Sequence, residues 1–120
     1  MTALPVPGPP LPGPQWTDVC GYDDLTPERG GCALVGGRQV ALFRLWDGSV
    51  RAVGNYDPFG GAFVISRGIV GTRGDAPIVV SPLFKHAFDL RTGASLDDGS
   101  VRLPVYPVRV RRGRIEVAPP

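Results

Sequence analysis

The sequence predicts an all-β fold, a compact antiparallel barrel or sandwich of about ten short strands. Three observations carry that prediction. Glycine (17 residues) and proline (14) are both abundant in a 120-residue chain that is still 42% apolar, so the breakers punctuate a foldable sequence rather than a disordered one. Turn pairs recur at short intervals, as at Gly36-Gly37, Asp47-Gly48 and Arg112-Gly113. The residues between them alternate apolar and polar with the period of a half-buried strand. A helix bundle does not fit this pattern, and the length suits one domain with one core.

Residues 1–14 carry prolines at positions 5, 7, 9, 10, 12 and 14. They read as a flexible Pro-rich arm, either a featureless leader or a ligand for an aromatic groove, ahead of a domain spanning 15–118. Residues 16–20 read as a first strand. Residues 22–27 form a turn, with room for one helical turn capped by an aspartate. Residues 32–35 make a second strand, joined through Gly36-Gly37 to a third over 38–45, and Asp47-Gly48 turns into a fourth over 50–53. After a loop at 55–62, an apolar segment over 63–70 leads to a glycine- and arginine-bearing break at 71–75. Residues 78–80 are a fully apolar strand, from which a loop opens and residues 88–90 return, with turns at 91–93 and 96–99. The alternation is cleanest at the end of the chain. There Val108, Val110, Ile115 and Val117 should point inward, and Arg109, Arg111, Arg114 and Glu116 outward.

The formal net charge is +2, too small to imply a nucleic-acid or membrane partner. Of 13 basic residues only Lys85 is a lysine. Arg102, Arg109, Arg111, Arg112 and Arg114 crowd the C-terminal end, and a basic hairpin leaves one alternative open, an independent regulatory or nucleic-acid-binding β-barrel. That hairpin lacks outward aromatics for base stacking, which makes nucleic acid the weaker reading. Cys20 and Cys32 are not spaced as C-x-x-C and read as free thiols, with a disulfide or a metal pair as the alternative. With no export signal and no apolar run long enough to span a membrane, the expected location is the cytoplasm.

Two loops carry the chemistry. The first, N-Y-D-P-F-G-G-A at 55–62, and the second, S-P-L-F-K-H-A-F-D-L-R-T-G at 81–93, each hold a proline followed closely by phenylalanine. The second holds the only histidine, His86, which without a visible acid or nucleophile beside it and Lys85 carries no catalytic assignment. Asp57 suits an Asx-turn ahead of Pro58.

The order of these pieces resembles the Rieske fold, which binds a [2Fe–2S] cluster through C-x-H in one loop and C-x-x-H in the other. On that resemblance Asp57 and Phe59 stand at the first pair of ligand positions, and Ser81 and Phe84 at the second. All four ligands are missing. Serine and aspartate offer hard oxygens and phenylalanine offers nothing, so the expectation is no metal and no cofactor in this chain. Phe59 and Phe84 are expected to fill the space of the cluster, with an exposed patch for a partner as the alternative. A ligand-free barrel with S-R-G-I-V-G at 66–71 and S-P-L-F-K-x-x-F-D-L-R-T-G is similar to the small subunits of assimilatory NAD(P)H-dependent nitrite reductases. That resemblance implies a non-redox, cytoplasmic accessory subunit. Its partner would be a large catalytic subunit holding FAD, an iron–sulfur cluster and sirohaem. The partner-contact candidates are Phe59, Arg67, Arg73, Phe84, Lys85 and His86.

Overall fold

The computed structural model describes residues 15–120, and the expected Pro-rich arm lies outside them. The chain begins with β1 (Thr17–Gly21), β2 (Gly30–Val35), β3 (Arg38–Arg44) and β4 (Val50–Gly54). The short pair β5 (Tyr56–Asp57) and β6 (Ala62–Phe63) frames the first loop. Next come β7 (Ile69–Arg73), β8 (Ala76–Val80), β9 (Ala87–Asp89) and β10 (Val105–Tyr106), and the closing hairpin β11 (Val108–Arg111) and β12 (Arg114–Val117). Every named strand pair is antiparallel, as the turn chemistry predicts. At Gly36 and Gly37 both φ angles are positive (58° and 78°), the requirement of the tight hairpin turn joining β2 to β3. Among the described residues no helix is long and apolar enough to cross a membrane.

The sheet β10-β4-β3-β2 is the middle layer, and β3 shows why. Its run Val40-Ala41-Leu42-Phe43 is buried throughout, which a strand with one wet face would not tolerate. Val40 and Leu42 pack into one apolar cluster with Val50, Ala52, Ile115 and Val117. Ala41 and Phe43 pack on the opposite side with Val53, Ile65, Val79, Phe88 and Leu90. The β1-β12-β11 sheet thus closes one face and the β7-β8-β9 sheet the other. Burying each of these larger side chains stabilises the fold by roughly 1.5–3 kcal/mol. The second cluster lies beneath the two loops, so packing there controls how the loops are held.

Local departures from the sequence reading have local causes. The segment after Phe63 is split by a single 3-10 turn, Ile65–Arg67. Asn55 bends it there, its side-chain oxygen accepting the Ser66 amide at 2.7 Å and its carbonyl the Ile65 amide at 3.1 Å. The expected break at 71–75 shrinks to a turn at Gly74-Asp75, because Gly71 is drawn into β7 by pairing with Ile78 of β8. The aspartate cap falls inside the early helical turn, where Asp24 reaches back to accept the Gly21 amide at 2.8 Å. Val110 faces the same side as its partner Ile115, yet it is 47% exposed because β11 is the outer strand of its sheet. The C-terminal arginines are partly committed within the fold. Arg109 bonds Glu116 across the hairpin at 2.7 Å and lies over the Trp16 ring, and Arg114 grips Asp18 through two nitrogens.

Candidate functional site

The two loops meet through a buried polar contact. Tyr56 and Asp57 alternate on β5, so Tyr56 turns outward and Asp57 inward, where it is fully buried. Asp57 Oδ1 accepts the amides of Phe59 (2.8 Å) and Gly60 (3.1 Å), the Asx-turn that the D-P-F-G sequence suggests. Its other oxygen accepts the hydroxyl of Ser81 at 2.5 Å. Ser81, also fully buried, emerges from the apolar strand β8, and its oxygen in turn accepts the Leu83 amide at 3.2 Å. Gly60 lets the loops approach, since a Cβ there would come 2.8 Å from Leu83 Cδ1.

Asp57 and Ser81 are the residues that the resemblance to the Rieske fold sets at its two cysteine positions. Here they bond to each other, carboxyl oxygen to hydroxyl, while Asp57 Oδ1 accepts two amides and the Ser81 oxygen one amide of their own loops. Neither is left free to bind iron, and the phenylalanines at the imidazole positions have no donor atom. The residues present do not fit a [2Fe–2S] cluster. Among the described residues no group of three or more His, Cys, Asp or Glu side chains is placed to hold a metal ion.

The two phenylalanines behave differently. Phe59 is half-buried and packs on the second core cluster, its ring centroid 5.9 Å from that of Phe88. Phe84 is 74% exposed and fills nothing, which corrects the expectation that both rings would occupy the cluster space. The backbone explains it. The loop closes through the Ser81 amide on the His86 carbonyl at 2.9 Å, with Phe84 (φ 57°) and Lys85 (φ 59°) both left-handed, and this turn throws Phe84 outward.

The ring that takes its place is His86, stacked on Phe59 at 3.9 Å between centroids. His86 Nδ1 lies 3.2 Å from Asp97 Oδ2, which also accepts the Ala87 amide at 3.2 Å. The Ala87 amide, then the His86 ring, hold the Asp97 carboxyl below its ordinary range, so it stays ionised at this anchor. Sequence reasoning placed Asn55 at the start of the 55–62 loop and Asp97 in the turn at 96–99 but gave neither a role, since each acts only through a folded contact.

The remaining candidates spread along β7. Arg67 ends the short 3-10 turn before it, lining a depression with Glu28 and Arg29, and Arg73 is its exposed last residue. The structure therefore brings Asp57, Ser81, Phe59 and His86 together, and sets Phe84 and Lys85 outward on the tip.

Two successive non-glycine residues in the left-handed region make one test of this loop. Lys85→Gly should remove the Cβ penalty there, partly offset by the unfolded-state entropy of glycine, for a net gain of about 0.5 kcal/mol. Urea denaturation would show it as a raised midpoint at unchanged slope. Lys85→Ala, which keeps the Cβ, should show no gain.

The chain places a pair of hairpin loops together on a three-layered antiparallel β fold, and comparison with known proteins shows its class. The family model for the Rieske-like [2Fe-2S] domain matches residues 15–118. The nitrite reductase (NADH) small subunit of Escherichia coli K12 is 39% identical over 104 residues, covering 86% of this chain and 96% of that one. A crystal structure described as an NADH-dependent nitrite reductase small subunit, from Mycobacterium tuberculosis, superposes with a TM-score of 0.85 at 59% identity, covering 88% of this chain and 95% of that one. The nitrite reductase [NAD(P)H] large subunit of Klebsiella oxytoca is 40% identical over 109 residues, 91% of this chain but only 11% of that much longer one. The chain belongs to the nitrite reductase small-subunit family within the Rieske-like domains.

Proposed function

We propose that this chain is a non-redox subunit of a cytoplasmic nitrite reductase that reduces nitrite to ammonium with NAD(P)H. The catalytic cofactors (FAD, an iron–sulfur cluster and sirohaem) would belong to a separate large subunit. The observation that carries the reading is the Asp57–Ser81 bond, a direct strap between the loops where iron would otherwise join them. A strap holds shape and carries no electron. The Klebsiella relative supports the choice of partner, because there a domain of this kind forms part of a chain named as the large subunit. Two pieces that occur fused in one protein have reason to associate when they are separate.

The docking face in this reading is the loop tip. Phe84 and Lys85 project from it, His86 forms its shoulder, and Arg67 lies just before the end of β7 that pairs beside the loop, with Arg73 at the strand's other end. Phe59 acts from underneath, as the support on which His86 stacks.

The test is co-purification of the tagged chain from its native cells grown on nitrate, with a visible spectrum of the eluate. The expected result is a large partner bringing flavin and sirohaem absorption, with the separated small chain colourless. A Rieske-type spectrum in the small chain would overturn the non-redox role. A colourless monomer with no partner would overturn the subunit role.

A further inference from the structure

Next to the loop tip lies an open groove of about 450 Å³ that the docking of the loops alone does not use. Tyr56 and Phe63, paired across β5 and β6, meet edge to face at 5.0 Å and form one wall. Leu34, Pro58 and Pro104 extend the apolar lining. Leu34 is 67% exposed, Phe63 55% and Tyr56 45%, a concentration of bare apolar surface of the sort that marks interaction sites. Pro58 belongs to both the groove wall and the first loop, so the two surfaces are continuous.

The charges around the groove say what fits it. Arg38 and Arg102 line it, no aspartate or glutamate does, and among the described residues neither arginine takes part in an ion pair. An occupant without carboxylates would desolvate two guanidinium groups and leave them unpaired, which is costly. That weighs against residues 1–14, which contain no acidic residue. It weighs equally against a second copy of the chain docked groove to groove, since a two-fold contact would bring the same arginines towards each other. An extended apolar segment with carboxylates at the arginine positions would satisfy both the wall and the rim.

We propose that this groove receives such a segment from the catalytic large subunit, its carboxylates pairing with Arg38 and Arg102 and its apolar side chains resting on Tyr56, Phe63 and Leu34. The assignment rests on the small-subunit reading above.

The experiment measures binding of the full-length chain to separately purified large subunit, for the wild type, the R38E/R102E double variant and Phe63→Ser. All three changes are at the surface, and thermal unfolding checks that each variant is folded. Both variants should weaken binding at least tenfold, and the wild-type affinity should fall as salt is raised. Wild-type binding that both variants retain in full would overturn the groove and leave the subunit reading standing. No binding by the wild type would overturn that reading itself. Two other results would reassign the groove and overturn this proposal. One is a wild-type dimer that Phe63→Ser converts to monomer. The other is deletion of residues 1–14 shifting the Tyr56 and Phe63 resonances.

Discussion

Asp57→Ala is expected to destabilise the domain by about 3–5 kcal/mol, a large part of the total stability of a domain this size. The carboxylate is fully buried and serves three donors, the Phe59 and Gly60 amides and the Ser81 hydroxyl. Alanine leaves all three without their acceptor, and each buried donor so stranded costs about 1–3 kcal/mol unless water enters. Ser81→Ala should cost less, on the order of 1–3 kcal/mol, because Asp57 keeps the two amides on Oδ1, while its buried Oδ2 loses the hydroxyl donor and the Leu83 amide loses its acceptor. The double variant should lose less than the sum of the two, with a coupling of roughly 0.5–3 kcal/mol, since both changes break one contact. Urea denaturation of the four proteins gives this cycle directly. Strict additivity would show that Asp57 and Ser81 stabilise their own loops separately and that no strap joins them. With a coupling of the expected size, Asp57→Ala should also weaken large-subunit binding, because the loop face would lose its fixed shape.

The features legible in the sequence were those set by local chemistry. Turn glycines, strand alternation and the D-P-F and S-P-L-F steps all depend on neighbours within a few residues, and the structure shows the hairpins and loops they predict. The direction of Phe84 was not legible. It depends on left-handed backbone at Phe84 and Lys85, and neither residue advertises that conformation as glycine would. The His86 stack was hidden for a related reason. A single histidine looks isolated, and the acid nearest to it in sequence, Asp89, pairs with Arg91 instead; folding brings Asp97 to one edge of the ring and Phe59 beneath it. The groove was hidden by alternation itself. Attention to Asp57 as an inward ligand position passes over Tyr56, which β5 turns outward for the same geometric reason.

Phe88→Ala should cost about 3–5 kcal/mol as well, by a different mechanism that separates packing from polar strapping. Phe88 is fully buried at the centre of β9, in register with Val79 of β8, and belongs to the cluster beneath the loops. Removing its ring opens a cavity under Phe59, on which His86 rests. Phe88→Leu, which refills much of that volume, should recover most of the loss. The informative measurement is amide hydrogen exchange in Phe88→Leu, where the domain stays folded. If Phe59 and His86 depend on the platform, the Ser81 amide, bonded to the His86 carbonyl, and the Ala87 amide, bonded to Asp97, should exchange faster than the global loss of stability explains. Exchange that slows or quickens only in step with global stability would mean that the Asp57–Ser81 strap holds the loops by itself. The structure favours the first outcome. One hydrogen bond between two loops fixes a distance but not an orientation, and the Phe59 and His86 rings stacked over Phe88 supply a second contact to resist turning about that bond.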